Sequence, residues 1–506
     1  MRACAVVLGS LLALVLPSTS WANDYHGPKV EERLAELAEA TPNKDEQVRV
    51  IVFGDHGGEA AAEHGRVDKH LSLVGGVSAV VKVKDLDALA AEGGVSFIAE
   101  DAPMVANGSD EVYPSLSTIY PLVDTAIKAW ASGRNGAGVG IAVIDSGVTP
   151  RPDFGSRLTQ VRLGGQLGSL DDMHGHGTMV AGVAGGSSGD GQFVGIAPNA
   201  NIYAINVNRL GLVYSSDVIA GLKWVFDNAH TYNIRVVNLS LTETTPSLYT
   251  QNPLDLAVER LWASGVAVVT ASGNLGSAPG SVDYAPANDP LAITVGATDT
   301  MNTAGNDDDV TASFSSVGVT RSGFAKPELL APGRRIGAPL AGDTTLGLLA
   351  PVANWVAPGY ALISGTSFSA PQVAAAAAIL FQLHPEWSPD AVKGVLVKKG
   401  RSVKNTSIRA LDLSNATDVS GPTLANQGVP ALVCAPGSSC LSAGTVASYW
   451  NSSSWTSSSW TSSSWTSSSW NSSSWTSTTL LSSSWTSSSW VSSSWVSSSW
   501  TAGSWD

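Results

Sequence analysis

Residues 139–148 read VGIAVIDSGV, a short apolar run that ends in Asp145 and a Ser-Gly turn. A run this short, rich in β-branched residues and closed by turn formers, reads as a buried strand. The pattern recurs. HGTMVAGVAGG (176–186), SDVIAGLKWVFDNA (216–229) and LDLAVERLWASG (254–265) are helical stretches. Between them lie the strand-like IYAINVN (202–208), VVNLSL (236–241), VAVVTASGN (266–274) and LAITVGA (291–297). Repeated β–α alternation from Gly136 to Lys399 predicts a parallel sheet covered by helices on both faces. In such folds sites form beyond the carboxyl ends of strands, which is where Asp145 stands.

Working outward, the 506 residues allow two or three domains. Residues 1–22 carry one Arg, an apolar run from Ala3 to Leu16 and small residues around Ser20-Trp21-Ala22. That is the pattern of a secretory signal, and 14 apolar residues fall short of the ~20 that span a bilayer. Residues 23–111 form a second unit. Strands are expected at 48–54, 77–83 and 95–100, and helices at 59–71 and 85–92, giving a small α+β domain. The principal domain is assigned to 112–400 and a Ser/Asn/Pro/Gly-rich linker to 401–446. From 447 to 506 the chain is a Ser-rich repeat with Trp every fifth residue, broken once at Leu480. A period of five fits neither one helix face nor one strand face.

A net charge of −14 and a pI near 5.0 exclude general attraction to nucleic acid. The acidity is concentrated: residues 23–111 hold 18 acidic and 8 basic residues. Of three cysteines, Cys4 leaves with the signal. Cys434 and Cys440 are either a small-loop disulfide formed after export or two free thiols.

Three segments carry chemistry together: Asp145-Ser146-Gly147, His176-Gly177-Thr178, and Gly365-Thr366-Ser367-x-Ser369-Ala370-Pro371. A fourth is Ala271-Ser272-Gly273-Asn274. Singly, each has an ordinary reading as a turn, surface or cap residue. In this order, with these neighbours, they resemble the subtilisin-like serine proteases over roughly 115–399. The resemblance implies an α/β fold with a subtilisin-like parallel sheet flanked by helices. A small α+β propeptide domain precedes it, and the low-complexity Trp/Ser tail follows.

The resemblance also implies roles. A serine hydroxyl is a weak nucleophile until a base removes its proton. His176 would be that base, Asp145 would hold its tautomer, and Ser367 would attack the peptide carbonyl. Asn274 would donate to the oxyanion, with Thr366 in support. His174 is a rival that the Gly-Thr after His176 disfavours. Peptide substrates would lie as an extended strand between 210–215, including Leu212 and Val213, and Ser240-Leu241-Thr242, with Ser272 and Gly273 also lining the cleft. Thr242 stands where the family usually has Gly, so its β-branched side chain narrows the pocket unless the loop rearranges. Phe368 replaces a Met frequent in the family, and Phe cannot form a sulfoxide. The stretch from Ala331-Pro332-Gly333 to Ser367 is longer than usual, as for an extra surface loop.

The second unit resembles the family's propeptide, a folding aid and temporary inhibitor, with self-cleavage expected between Ala106 and Leu116. Its four His (His26, His56, His64, His70) are either solvated or an acid-sensitive release device. Asn306-Asp307-Asp308-Asp309 is either a structural calcium loop or a solvated run, and catalysis requires no cofactor. The Trp repeat would serve cell-surface glycan or envelope association, or act as a spacer. The function implied is a secreted serine endopeptidase made as a self-processing zymogen. The alternative is a surface adhesion protein whose protease domain acts only in its own maturation.

Overall fold

The computed structural model describes residues 29–106, 118–164, 169–208 and 211–432. The signal, His26, the expected processing window after Ala106, both late cysteines and the Trp repeat lie outside the described residues.

The first unit is built from α1 (Glu32–Ala40), β1 (Gln47–Phe53), α2 (Gly57–His64), β2 (Gly65–Leu71), β3 (Gly76–Lys82), α3 (Leu86–Ala91) and β4 (Phe97–Glu100). Its antiparallel sheet has the order β2-β3-β1-β4. The helix expected over 59–71 stops at His64. A side chain at Gly65 would put its Cβ 2.2 Å from the Val80 carbonyl oxygen, so Gly65 lets the chain lie against β3 and continue as a strand. Side chains alternate across a strand. In β1, Val48, Val50 and Val52 join the core under the unit's own helices with Leu34, Ala61 and Leu89. Ile51 and Phe53 point the other way, with Phe97 and Ala99, into the core of the second unit. The sheet is therefore apolar on both faces because both are covered.

The larger unit has β6 (Gly140–Asp145), β7 (Leu158–Val161), α4 (His176–Gly185), β8 (Asn201–Asn206), β9 (Val213–Tyr214), α5 (Ser215–Tyr232), β10 (Ile234–Leu239) and β11 (Leu241–Glu243). It continues through α6 (Pro253–Ala263), β12 (Ala267–Ala271), β13 (Ile293–Asp299) and β14 (Val310–Thr311). The main sheet runs β14-β13-β12-β10-β6-β8-β7, parallel except at β14, and Leu329–Pro332 also pairs with β13. This is the α/β architecture expected from the alternation. The helix Ala370–Leu383 runs through the core, buried from Ala370 to Phe381. Its alanines let it approach neighbours closely on every side. By length and composition Thr366–Leu383 could cross a membrane, but 89% of it is buried inside the fold.

The linker assigned to 401–446 is corrected as far as Leu432. Arg401 pairs with the Asp309 carboxylate, Leu411 N donates to Leu330 O, and Asn426 N donates to Asp390 Oδ1 at 2.7 Å. A Cβ at Gly394 would come within 1.9 Å of the Thr423 carbonyl oxygen, so this segment lies directly on the helix Pro389–Lys399. Its composition reads as a linker because its buried apolar residues, Val403, Leu411, Leu413 and Ala416 among them, are spaced too irregularly to form a helix or strand face, with hydrogen bonds holding the chain between them.

The two units are joined by β5 (Pro103–Ala106), which lies between β9 and β11, antiparallel to both. Just before it, the Asp101 carboxylate accepts from Arg49 and Ser78 of the first unit and from Ser216 N (2.8 Å) and Oγ (2.7 Å) of the second. Lys69 pairs with Asp217, and the Arg49 guanidinium lies 4.3 Å from the centre of the Tyr214 ring. Removing a buried carboxylate strands its donors. Asp101→Ala is thus expected to weaken docking by about 2–4 kcal/mol. In calorimetry the first unit should then melt ahead of the second; a single unchanged transition would contradict this.

Candidate active site

β6 delivers Asp145 to the carboxyl edge of the sheet, and α4 opens with His176 beside it. His176 Nδ1 lies 2.8 Å from Asp145 Oδ1, with both side chains buried. A Cβ at Gly177 would meet the Gly147 carbonyl oxygen at 2.1 Å, which is why glycine must follow this His. With Nδ1–H donating to Asp145, Nε2 is left with a free lone pair, and it has no hydrogen-bond partner. Burial lowers the His176 pKa, but the charge and hydrogen bond of Asp145 outweigh it, and the net shift is upward from 6.5.

Ser367 precedes the buried helix Ala370–Leu383. Its Oγ donates to Ser240 O at 3.0 Å, and Ser240 Oγ donates to Ser367 O at 2.7 Å. The next residue, Phe368, packs on the imidazole, with ring centres of Phe368 and His176 5.5 Å apart. The three chemical segments are therefore brought to one place. In this state the Ser367 hydroxyl is turned to Ser240.

Asn274 has a fixed orientation. Its Oδ1 accepts from Thr366 N and from Thr366 Oγ1, each at 3.0 Å, and Gly273 N donates to Thr366 Oγ1 at 3.2 Å. Nδ2 is consequently turned away from Thr366, and it is buried without a partner. A preorganised, unpaired donor is what an oxyanion site needs.

Among the other expected cleft residues, Val213 belongs to β9, and Leu241 and Thr242 to β11. Thr242 is buried and faces Val105 in the pairing of β11 with β5. Leu212 is exposed. Ser272 is buried, and Gly273 has φ +99°, a left-handed value that suits glycine.

Asp172 was missed in the sequence. Its buried carboxylate accepts from Ser146 Oγ, His174 N, Gly175 N, Thr178 N and Thr178 Oγ1, at 2.7–3.1 Å. It fixes the turn that carries His176. The paired Asp171-Asp172 before a His-Gly-His motif was the available signal. His174 is partly buried with a lowered pKa, from burial first and then the His176 charge, and hydrogen-bonds to Asp172 only through its backbone.

In the 306–309 run, Asp309 turns inward to Arg401, and Asp308 accepts from Thr303 Oγ1. Among the described residues no group of three or more His, Cys, Asp or Glu is arranged to hold a metal ion.

An imidazole held by a carboxylate stands here with a serine hydroxyl and an unpaired amide donor, the groups that a nucleophilic hydrolase site requires. The Subtilase family matches residues 136–412. Serine protease AprX of Bacillus subtilis (strain 168) is 37% identical over 296 residues, 55% of this chain and 66% of that protein. Alkaline protease of Alkalihalobacillus alcalophilus is 33% identical over 341 residues, covering 67% of this chain and 78% of that protein. Fervidolysin from Fervidobacterium pennivorans shares the fold, with a TM-score of 0.57 at 22% identity, over 77% of this chain and 63% of that one. The chain belongs to the subtilase family of serine endopeptidases.

Phe368 gives a direct prediction. Phe368→Met should make hydrolysis more sensitive to peroxide than in the wild type, because a sulfoxide would then form against His176. Equal inactivation rates for the two proteins would refute it.

Proposed function

We propose that this chain is a secreted endopeptidase that hydrolyses proteins through Asp145, His176 and Ser367, and that it is made as a zymogen inhibited by residues 23–111. The observation that carries this reading is β5. It occupies the cleft between the two segments expected to bind substrate, pairing Ala106 with Leu241 and Met104 with both Glu243 and Val213. An inhibitor that enters as a strand and advances toward Ser240, which is bonded to Ser367, holds the position of the acyl half of a substrate.

In the proposed reaction Ser367 Oγ swings from Ser240 O toward His176 Nε2, loses its proton there and attacks the peptide carbonyl. Asn274 Nδ2 and the Ser367 backbone N–H hold the oxyanion. His176 then passes the proton to the leaving amine, and water, activated by the same imidazole, releases the acyl group. Asp145 stabilises the imidazolium throughout. Thr366 acts by orienting Asn274. The leader reading of residues 1–22 supports export.

Expressed beside Ser367→Ala, the wild type should shed its first unit and digest casein while the variant does neither. Processing without casein digestion would instead support the adhesion reading. Asn274→Ala should lower kcat by about 10²–10³, the loss known for this donor in subtilisin-type enzymes, with little change in KM. An unchanged kcat would remove Asn274 from the oxyanion site.

Inhibitor release should depend on pH with a sign opposite to the histidine expectation. His56 pairs with Glu59 and His64 with Glu92, both within the first unit, and His70 is exposed. Carboxyls lie at the boundary instead. Glu243 is pushed up to about 8 by burial and by the charges of Glu31 and Glu100, against hydrogen bonds from Ser215 and Asn252. Glu31 is raised to about 7, by burial and by Glu100, against the Glu100 backbone N–H and Arg33. The Glu31 and Glu100 charges reach Glu243 from the first unit, so this part of its rise favours the docked form at low pH and is lost as pH rises through 8. Release of the cleaved first unit should accelerate from pH 6 to pH 9, and Glu243→Gln should flatten the profile. Faster release at pH 6 would contradict this.

A further inference from the structure

We propose that an exposed apolar face formed by Met173, Leu348, Leu349 and Val352 binds apolar side chains on the leaving-group side of the scissile bond. This rests on the reading of Ser367 as the nucleophile.

The face is built by the long stretch before Ser367. Between the strands Ile336–Pro339 and Tyr360–Ile363 the chain inserts a short helix, Thr345–Leu349. The helix is clamped to the loop that carries the catalytic imidazole: Thr345 N donates to Met173 O at 3.0 Å, and Leu346 N to His174 O at 2.8 Å. The His174 ring lies 6.2 Å from that of His176, centre to centre. The insertion therefore stands next to the reacting groups.

Its apolar residues are divided. Leu340 is buried and Leu346 packs against the core. Met173, Leu348, Leu349 and Val352 are 70%, 74%, 74% and 89% exposed. From Thr344 to Pro358 the chain has no charged residue. A cluster of large apolar side chains left open beside a catalytic group marks a binding surface.

The direction of the chain in the cleft identifies what binds there. β5 runs from Met104 opposite Glu243 to Ala106 opposite Leu241, so it advances toward Ser240, which is bonded to Ser367. The acyl half of a substrate thus fills the groove between β9 and β11, and the leaving half continues past Ser367. The first residue described after Ala106 is Thr118. Its Oγ1 donates to Gln192 O at 2.9 Å, and its Cγ2 would be 2.9 Å from a Cβ at Gly337. Gly337 lies in Ile336–Pro339, the strand that leads into the insertion. Thr118, downstream of the expected cut, therefore lies at the root of the insertion that carries the apolar face.

The test uses two fluorescence-quenched peptides with one acyl half and with leaving halves rich in Leu and Val or in Ser. The processed wild type should favour the apolar peptide by about tenfold in kcat/KM, the scale of one apolar pocket. The L348S/L349S/V352S protein should show a ratio near one. Equal rates on both peptides with the wild type, or an unchanged ratio in the variant, would overturn the proposal. If the variant keeps the ratio but loses a concentration-dependent dimer of the wild type, the face belongs to a second copy of the chain, and the proposal falls. A wild type that cleaves neither peptide would defeat the nucleophile reading, and this one with it.

Discussion

Two short strand edges, Val213–Tyr214 and Leu241–Glu243, face one another across the cleft, and each carries backbone groups that need a partner. Leaving such groups unpaired away from water is costly, so the groove is a template for an extended chain. Pro103–Ala106 fills it. Asp101 anchors its start by accepting from both units, and Leu241 pairs with its end, one residue from Ser240. The placement of the first unit over the larger one follows from these contacts together with the Ile51 and Phe53 face of β1.

The docking contacts are of two kinds with different responses to solution. Ile51, Phe53 and Phe97 bury apolar surface whose contribution does not depend on protonation. Glu31 and Glu243 belong to the same boundary but are buried carboxyls, stable there chiefly in their neutral form. A unit held in both ways can dock tightly and still be released conditionally. Polar backbone clamps on Met173 and His174 fix an insertion whose outer surface is apolar.

The β–α alternation and the chemical segments were legible because their signals are local. Strand-turn stretches such as VGIAVIDSGV and the small residues forced at Gly177 by close approach leave a mark in adjacent positions. Features made by distant partners were not. PMVA at 103–106 is too short to announce a strand, and only β9 and β11 make it one. The double-sided apolar pattern of β1 implied a second covering surface that no local rule could name. Residues 401–432 looked like a linker, since buried apolar residues such as Leu411 and Leu413 fall at irregular spacing and hydrogen bonds to Asp309, Leu330 and Asp390 leave no periodicity. Asp172 could not be told from Asp171 until five donors were seen to converge on it.

The central claim is that β5 is the acyl half of the chain's own first substrate. The most direct measurement is the N-terminal residue of the processed wild-type peptidase, read by terminal sequencing and intact mass. The account predicts a new N-terminus shortly after Ala106 and before Thr118. A terminus upstream of Pro103, or one inside the larger unit beyond Tyr120, would contradict it.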